Sequence, residues 1–269
     1  MLVTALAASF LFSSVVPCPA QTASFQGIIE PFQDAKVGAP SSGIVVTVNA
    51  REGQFVTKGQ VVFELDSDLE SLEVERRKTI ADSMVEITAA RTRVETLKVD
   101  LEGTRTLAES TRSVSMEDLR KKELEFKLAE AELQRLEVTK KREQVEYRIA
   151  DAQLRRRFVA APFDGVIVQR LLEVGESCNQ QQPLFRIVDV GKCRLVVHME
   201  KAQSLKLKAG NGVTVRVHEI GGAFNVRGTV EFVSPLVDAS SGLREVKVLF
   251  DNPDGKVHPG VTGAIIAEK

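Results

Sequence analysis

Two spacings of apolar residues divide this chain into segments of different kinds. Near its start and through its last third, apolar residues fall in short runs bounded by Gly, Pro, Asn and Asp, the pattern of β-strands and turns. From Leu69 to Arg157 the period changes to helical. Ile80, Ile87, Val94 and Leu101 follow at seven-residue intervals, with Ala90 and Leu97 between them. Phe126, Ala129, Leu133 and Leu136 repeat that spacing; the phase is lost near Lys140 and resumes with Val145, Ile149 and Ala152. A narrow apolar stripe on helices otherwise crowded with charge predicts a coiled-coil seam rather than a face covered by a globular core. The arms flank a turn region from Gly103 to Ser115, and Ser115-Met116-Glu117-Asp118 predicts the N-cap and acidic first turn of the returning helix. The expectation is an antiparallel helical hairpin, each arm some 35 to 40 residues and roughly 50 to 60 Å long.

The short-run segments repeat each other across this interruption. Ala39–Leu65 reads APSSGIVVTVNAREGQFVTKGQVVFEL and Ala161–Ile187 reads APFDGVIVQRLLEVGESCNQQQPLFRI. Without a gap, Ala39 matches Ala161, Pro40 Pro162, Gly43 Gly165, Gly53 Gly175, Gln60 Gln182 and Phe63 Phe185. Agreement in turn residues and apolar positions predicts two similar β units that pack together. After Asp189, Val213, Val215 and Val217 alternate with polar residues, as do Val230 with Phe232 and Val246, Val248 and Phe250. Turn signals between them, such as Gly210-Asn211-Gly212 and Asn252-Pro253-Asp254-Gly255, predict a small β-barrel or sandwich, with one short helix over Ala202–Lys208. The expected fold class is mostly β modules plus an α-helical hairpin.

Charge narrows the function. The chain has 36 Lys and Arg against 37 Asp and Glu, so it lacks the basic excess of a generic nucleic-acid binder. It has no Trp and a single Tyr, Tyr147, which also argues against base stacking. The opening MLVTALAASFLFSSVV is an uncharged apolar run, shorter than a bilayer span, ending in Pro17-Cys18-Pro19-Ala20 with small residues at cleavage positions. We read it as a secretory signal cut after Ala20, in preference to a lipid anchor on Cys18. Export would leave Cys178 and Cys193, for which buried or free thiols are favoured over a disulfide.

Candidate chemistry is sparse. His198, His218 and His258 lack metal-ligand spacing, and no paired-carboxylate, Ser/His/Asp or phosphate-loop arrangement stands on the β modules. No enzyme, metal or cofactor is expected. A lipoylated or biotinylated carrier would need an exposed Lys between the half-units, where Asp66-Ser67-Asp68 stands instead. Asn179, Gln180, Gln181 and Gln182 form a loop of the second half-unit; in a ring their amides could line a central constriction, and a solvated connecting loop is the plainer alternative. Arg155-Arg156-Arg157 complements the dipole at a helix C-terminus.

Half a lipoyl-like module, a helical hairpin, APFDG at Ala161–Gly165, the second half-module and a β-barrel closing on NPDGKVHPGVTG occur here in order. With the E-G-x-x-V-x-x-G-Q run at Glu52–Gln60, this order resembles the periplasmic adaptors, or membrane fusion proteins, of the HlyD type, from about Gly27 to the end. The resemblance implies a split lipoyl-like (barrel-sandwich hybrid) module interrupted by the hairpin and followed by the barrel. The boundaries are 1–20 for the signal, 21–66 for an N-terminal strand and first half-module, 67–158 for the hairpin, 159–189 for the second half-module and 190–269 for the barrel. It further implies a non-enzymatic adaptor assembled as a homo-oligomeric ring between an inner-membrane transporter, of RND or ABC type, and an outer-membrane duct. Family members that dock TolC-type ducts carry Arg, then Leu four residues on and Ser seven further at the tip. Here Thr104 and Ala108 hold the first two positions and Ser115 the third, with Arg105 and Leu107 out of register. The expected duct contacts are Arg105, Leu107, Ser110, Arg112 and Ser115. The alternative is an envelope scaffold that self-associates through its hairpin without a transporter.

Overall fold

The computed structural model describes residues 24–111, 114–219 and 221–266. The first strands are β1 (Ser24–Gly38), β2 (Gly43–Val48), β3 (Phe55–Val56) and β4 (Val61–Leu65). Three helices follow: α1 (Asp68–Asp82), α2 (Val85–Thr111) and α3 (Met116–Arg155). Then come β5 (Phe158–Ala160), β6 (Gly165–Arg170), β7 (Ser177–Cys178), β8 (Pro183–Glu200) and α4 (Lys201–Ser204). The chain continues with β9 (Gly212–Glu219), β10 (Gly222–Val233), β11 (Leu243–Asp251) and β12 (Thr262–Ile266). It divides into two compact units, one spanning Asp34–Val188 and the other built from the residues before and after that span.

The Asp34–Val188 unit contains the β module and the hairpin. The two half-repeats fold alike, and their backbones exchange equivalent hydrogen bonds. Gly59 N donates to Ala161 O at 2.9 Å and Gln181 N to Ala39 O at 2.8 Å; Ala161 N donates to Gln60 O and Ala39 N to Gln182 O, both at 2.9 Å. Gly53 N to Ile167 O and Gly175 N to Val45 O, both 2.8 Å, form a second such pair. At the middle the matched residues Phe63 and Phe185 are fully buried, with rings stacked 5.8 Å apart and 5° from parallel. Val56, Val62, Leu65, Ile167, Leu184 and Ile187 are among the residues packed into this core. Gly165 is needed for close approach, since a Cβ there would stand 2.6 Å from the Val188 carbonyl oxygen.

The hairpin leaves the module between β4 and β5, which are antiparallel neighbours, so its two ends start side by side. Its seam faces inward at Ile87, Ala90, Val94, Leu97 and Leu101 on α2, and at Phe126, Ala129, Leu133 and Leu136 on α3. Three expectations are corrected. The first arm is two helices, with Ser83 extended (φ −66°, ψ 119°), and Ala81 rather than Ile80 enters the seam. Gly103 does not open the turn, because α2 continues to Thr111. The seam of α3 never loses phase at Lys140. Lys140 and Glu143 are themselves seam residues, followed by Tyr147, Ala150 and Leu154, while Val145, Ile149 and Ala152 face outward. Lys140 is tolerated there because its ammonium donates to Ile80 O (2.8 Å) and Glu143 Oε2 (3.1 Å).

In the other unit, strands run in the order β1-β12-β9-β10-β11-β8, and β1 also pairs with β8, closing a six-stranded barrel. Alternate residues fill its interior, among them Val215 and Val217 from β9 and Val246 and Val248 from β11. A side chain at Gly27 could not be accommodated where β1 meets β8, because its Cβ would fall 2.0 Å from Val196 O. Phe232 does not share the inward face of Val230: a bulge between them reverses its direction, and it lies exposed beneath the Lys247 ammonium. Asn252 is buried and organises the closing turn, donating to Val190 O and Val257 O at 2.9 Å and accepting from Val257 N at 3.0 Å. The expected short helix is confined to α4.

Candidate functional site

The hairpin's outer surface carries the strongest candidate for function. Residues two positions beyond each seam residue are turned by about 200° to the opposite face of the helix. On α3 these are Leu124, Leu128, Ala131, Val138, Val145 and Ile149, all exposed, interrupted by Arg135 and Arg142. On α2 the corresponding row begins at Val85, Ala89, Thr92 and Thr96 and goes on through Val99, Gly103, Thr106 and Ser110. It contains no charged residue. The Thr92, Thr96 and Thr106 hydroxyls donate to carbonyls one turn back, at 2.9 to 3.0 Å, which satisfies them within their own helix. One arm thus shows a large apolar stripe and the other a small uncharged one, on a hairpin rich in charge elsewhere. The sequence carried this signal: Val145 and Ile149 have seam spacing, but on the wrong side.

The structure places the tip residues as follows. Arg105 lies 3.7 Å from Glu123 across the hairpin. Leu107 and Ser110 are exposed on the last turns of α2. Ser115 is the N-cap of α3, its hydroxyl accepting from Asp118 N at 3.1 Å and donating to Asp118 Oδ2 at 2.7 Å. Arg112 lies outside the described residues. Thr104 and Ala108 lie half-buried in the seam toward α3.

The root of the hairpin is clamped by Arg157. One guanidinium nitrogen donates to Ser42 O at 2.8 Å and another pairs with Glu70 on α1. A further ion pair, Arg77 with Glu146, crosses from α1 to α3. Arg76, together with Arg77, holds Glu73 well below the usual carboxylate range, at about 2.

The Asn179–Gln182 loop is a tight turn. Gln182 Oε1 accepts from Asn179 N at 2.9 Å, as Gln60 Oε1 accepts from Thr57 N at 3.1 Å in the other half-repeat. Gln181 takes a left-handed φ of 67°, as Gly59 does at the matching place with 84°. Asn179, Gln180 and Gln181 are exposed; Gln182 is partly buried, its carbonyl oxygen committed to the turn.

The thiols of Cys178 and Cys193 are both buried and free, and burial pushes Cys193 up to about 11. His198 lies 4.0 Å from Glu245 and His258 3.2 Å from Glu219. No helix among the described residues is long and apolar enough to cross a membrane.

Residues 33–189, the β module with its inserted hairpin, match the family described as CzcB-like, barrel-sandwich hybrid domain. The chain belongs to this family. Residues 195–268 match the CusB-like β-barrel domain. A relative from Haemophilus influenzae, itself uncharacterized, is 25% identical over 85% of this chain and 52% of its own length. The cobalt-zinc-cadmium resistance protein CzcB of Cupriavidus metallidurans is 24% identical over 82% of this chain and 39% of its own. The chain therefore spans about half of one curated relative and less of the other. Among solved structures, MacA from Actinobacillus actinomycetemcomitans superposes with a TM-score of 0.72 at 21% identity, over 91% of this chain and 78% of that one. The membrane fusion protein Spr0693 of Streptococcus pneumoniae gives 0.58 at 14% identity, over 92% and 100%. This family member thus shares the membrane fusion protein fold.

Proposed function

We propose that the chain is the periplasmic adaptor subunit of a tripartite efflux or secretion system. In this reading it is exported on residues 1–20 and assembles as a homo-oligomeric ring. The barrel and the barrel-sandwich hybrid hold an inner-membrane transporter of RND or ABC type. The hairpin spans toward an outer-membrane duct, which its tip meets through Arg105, Leu107, Ser110, Arg112 and Ser115. The Asn179–Gln182 turns would then ring a central constriction, with Gln180 and Gln181 the side chains best freed for that role.

One observation carries the reading: the hairpin bears a large apolar stripe on one arm and a small uncharged stripe on the other. Exposed heptad-spaced stripes of this kind suit side-by-side helix packing. Large residues of one copy fit against small residues of the next, a heterologous contact that closes into a ring when the rotation allows. Family membership and the MacA-like fold support the same role, and no step of it requires catalysis.

The test is photocrosslinking from Ser110 in the native envelope, with mass spectrometry of the product. Capture of an outer-membrane channel protein supports the adaptor. Capture of only another copy of this chain moves the assignment to the self-associating scaffold, a second reading that the same stripes favour. Replacing Leu107 or Ser115 by Asp should abolish transport while folding and export persist; unchanged transport removes the tip from the mechanism.

A further inference from the structure

The break between α1 and α2 frees a carbonyl that a side chain of α3 takes up. Because α1 ends at Asp82, the Ile80 carbonyl is among the terminal acceptors without a partner inside the helix. In one continuous helix it would receive the Met84 N–H. It receives the Lys140 ammonium instead, from a side chain that is 9% exposed and also held by Glu143. Beside this contact is a cleft of about 340 Å³, lined in part by Ile80, Ser83, Ile87, Leu136 and Lys140.

The break shifts the phase of α1 against α2 by one residue. In the observed register Glu70, Val74, Arg77 and Ala81 turn toward α3, and polar contacts support them: Arg157 with Glu70, Arg77 with Glu146, and Lys140 with the Ile80 carbonyl. Extending the α2 seam backward without a break selects Ile80, Arg76, Glu73 and Leu69. That register would bury Ile80, now 40% exposed, and Leu69, now 79% exposed, in place of Val74 and Ala81. It would also add a helix hydrogen bond. The second register exchanges Val74 and Ala81 for the larger Ile80 and Leu69 and carries the Glu73–Arg76 ion pair to the seam, whereas the first keeps the ion pairs that cross to α3 and to the module.

We propose that Lys140 is the latch of a two-register hairpin. With the latch closed, α1 and α2 are separate and Ala81 lies in the seam. With it open, Lys140 leaves the Ile80 carbonyl, α1 and α2 join, and Ile80 moves into the cleft. One residue of phase rotates α1 about its axis by about 100° relative to the rest of the hairpin, so Leu69 turns into the seam and the root surface bearing Leu72 is re-aimed while the tip keeps its packing. This device is internal to the hairpin and does not depend on the adaptor reading.

The test is hydrogen exchange at the Met84 amide in the full chain. In the wild type that amide should exchange as an unprotected helix-start group. Lys140→Met keeps the stem but removes the donor; it should slow Met84 exchange about tenfold, the worth of one helix hydrogen bond. Adding Val85→Pro, which suits the first turn of a separate α2 but blocks a continuous helix, should return the wild-type rate. A thiol introduced by Ile80→Cys should lose reactivity toward maleimide in the Lys140→Met background, and one introduced by Ala81→Cys should gain it. If Lys140→Met does not fold, Lys140→Leu, which also lacks a donor, carries the same expectation. Unchanged Met84 exchange and thiol reactivity in a folded Lys140 variant would overturn the latch.

Discussion

The matched pair Phe63 and Phe185 gives the sharpest test of the idea that two half-repeats share one core. Both rings are fully buried and stacked at 5.8 Å, each contributed by the same position of its half-repeat. Phe→Leu removes three carbons; at about 0.8 kcal/mol per buried carbon, each single change should cost about 2 kcal/mol. An offset-stacked aromatic pair contributes a further ~0.5 to 1.5 kcal/mol that either substitution alone destroys. The double variant should therefore lose less than the sum of the singles by that amount. The assay is native-state hydrogen exchange at the amides of β4, which report opening of this unit. The combined single-variant loss of about 2.5 to 3.5 kcal/mol appears as roughly 70- to 400-fold faster exchange. Additive effects within ~0.3 kcal/mol, or single variants that leave exchange unchanged, would refute a core shared between the halves.

Three further outcomes are expected. The Asp238 carboxyl, held down by the Ser240 hydroxyl and then by the Ser241 backbone and hydroxyl, should titrate at about 2 by carboxyl NMR. Its contribution to the turn is complete above the ordinary value of 3.8 and is lost as pH falls through about 2, so a midpoint at 3.8 would mean the turn contacts are absent in solution. Gly27→Ala should unfold the barrel unit or lower its melting temperature sharply, whereas Gly212→Ala, with open space around the added carbon, should cost no more than a few tenths of a kcal/mol; equal thermal shifts contradict the close β1–β8 approach. Asn252→Leu should cost about 1 to 3 kcal/mol in urea unfolding, because it strips partners from the Val190 and Val257 backbone; a neutral result would show those groups rehydrated.

Much of this fold is legible in the linear sequence because its strongest signals are local. Gly53 and Gly175 hold left-handed φ values in matching turns, and the Gln60 and Gln182 side chains close matching ones. A gapless comparison of the half-repeats finds such residues directly. The hairpin is harder to read. Its inner seam and its outer stripes have the same seven-residue period, displaced by two residues, so periodicity alone does not say which row faces the partner helix. Val145 and Ile149 look like seam residues for that reason, while the true seam at that level contains Lys140 and Glu143. Only the three-dimensional partner of Lys140, the Ile80 carbonyl on the other arm, explains why a charge can occupy that row. The extended Ser83 is equally hidden, since no proline or glycine stands there to announce a break. The outward direction of Phe232 depends on a bulge, which strand alternation does not encode.

Because β4 and β5 are adjacent antiparallel strands, with Glu64 paired to Phe158, the hairpin enters and leaves the module at a single edge. Its insertion is mechanically a cassette. Removing the hairpin and closing β4 to β5 with a short turn would leave every strand pairing of the module in place. Adding seven residues to each arm would lengthen the rod by about 10 Å while preserving the phase of both seam and stripes. Reach can therefore change by whole heptads without altering the base.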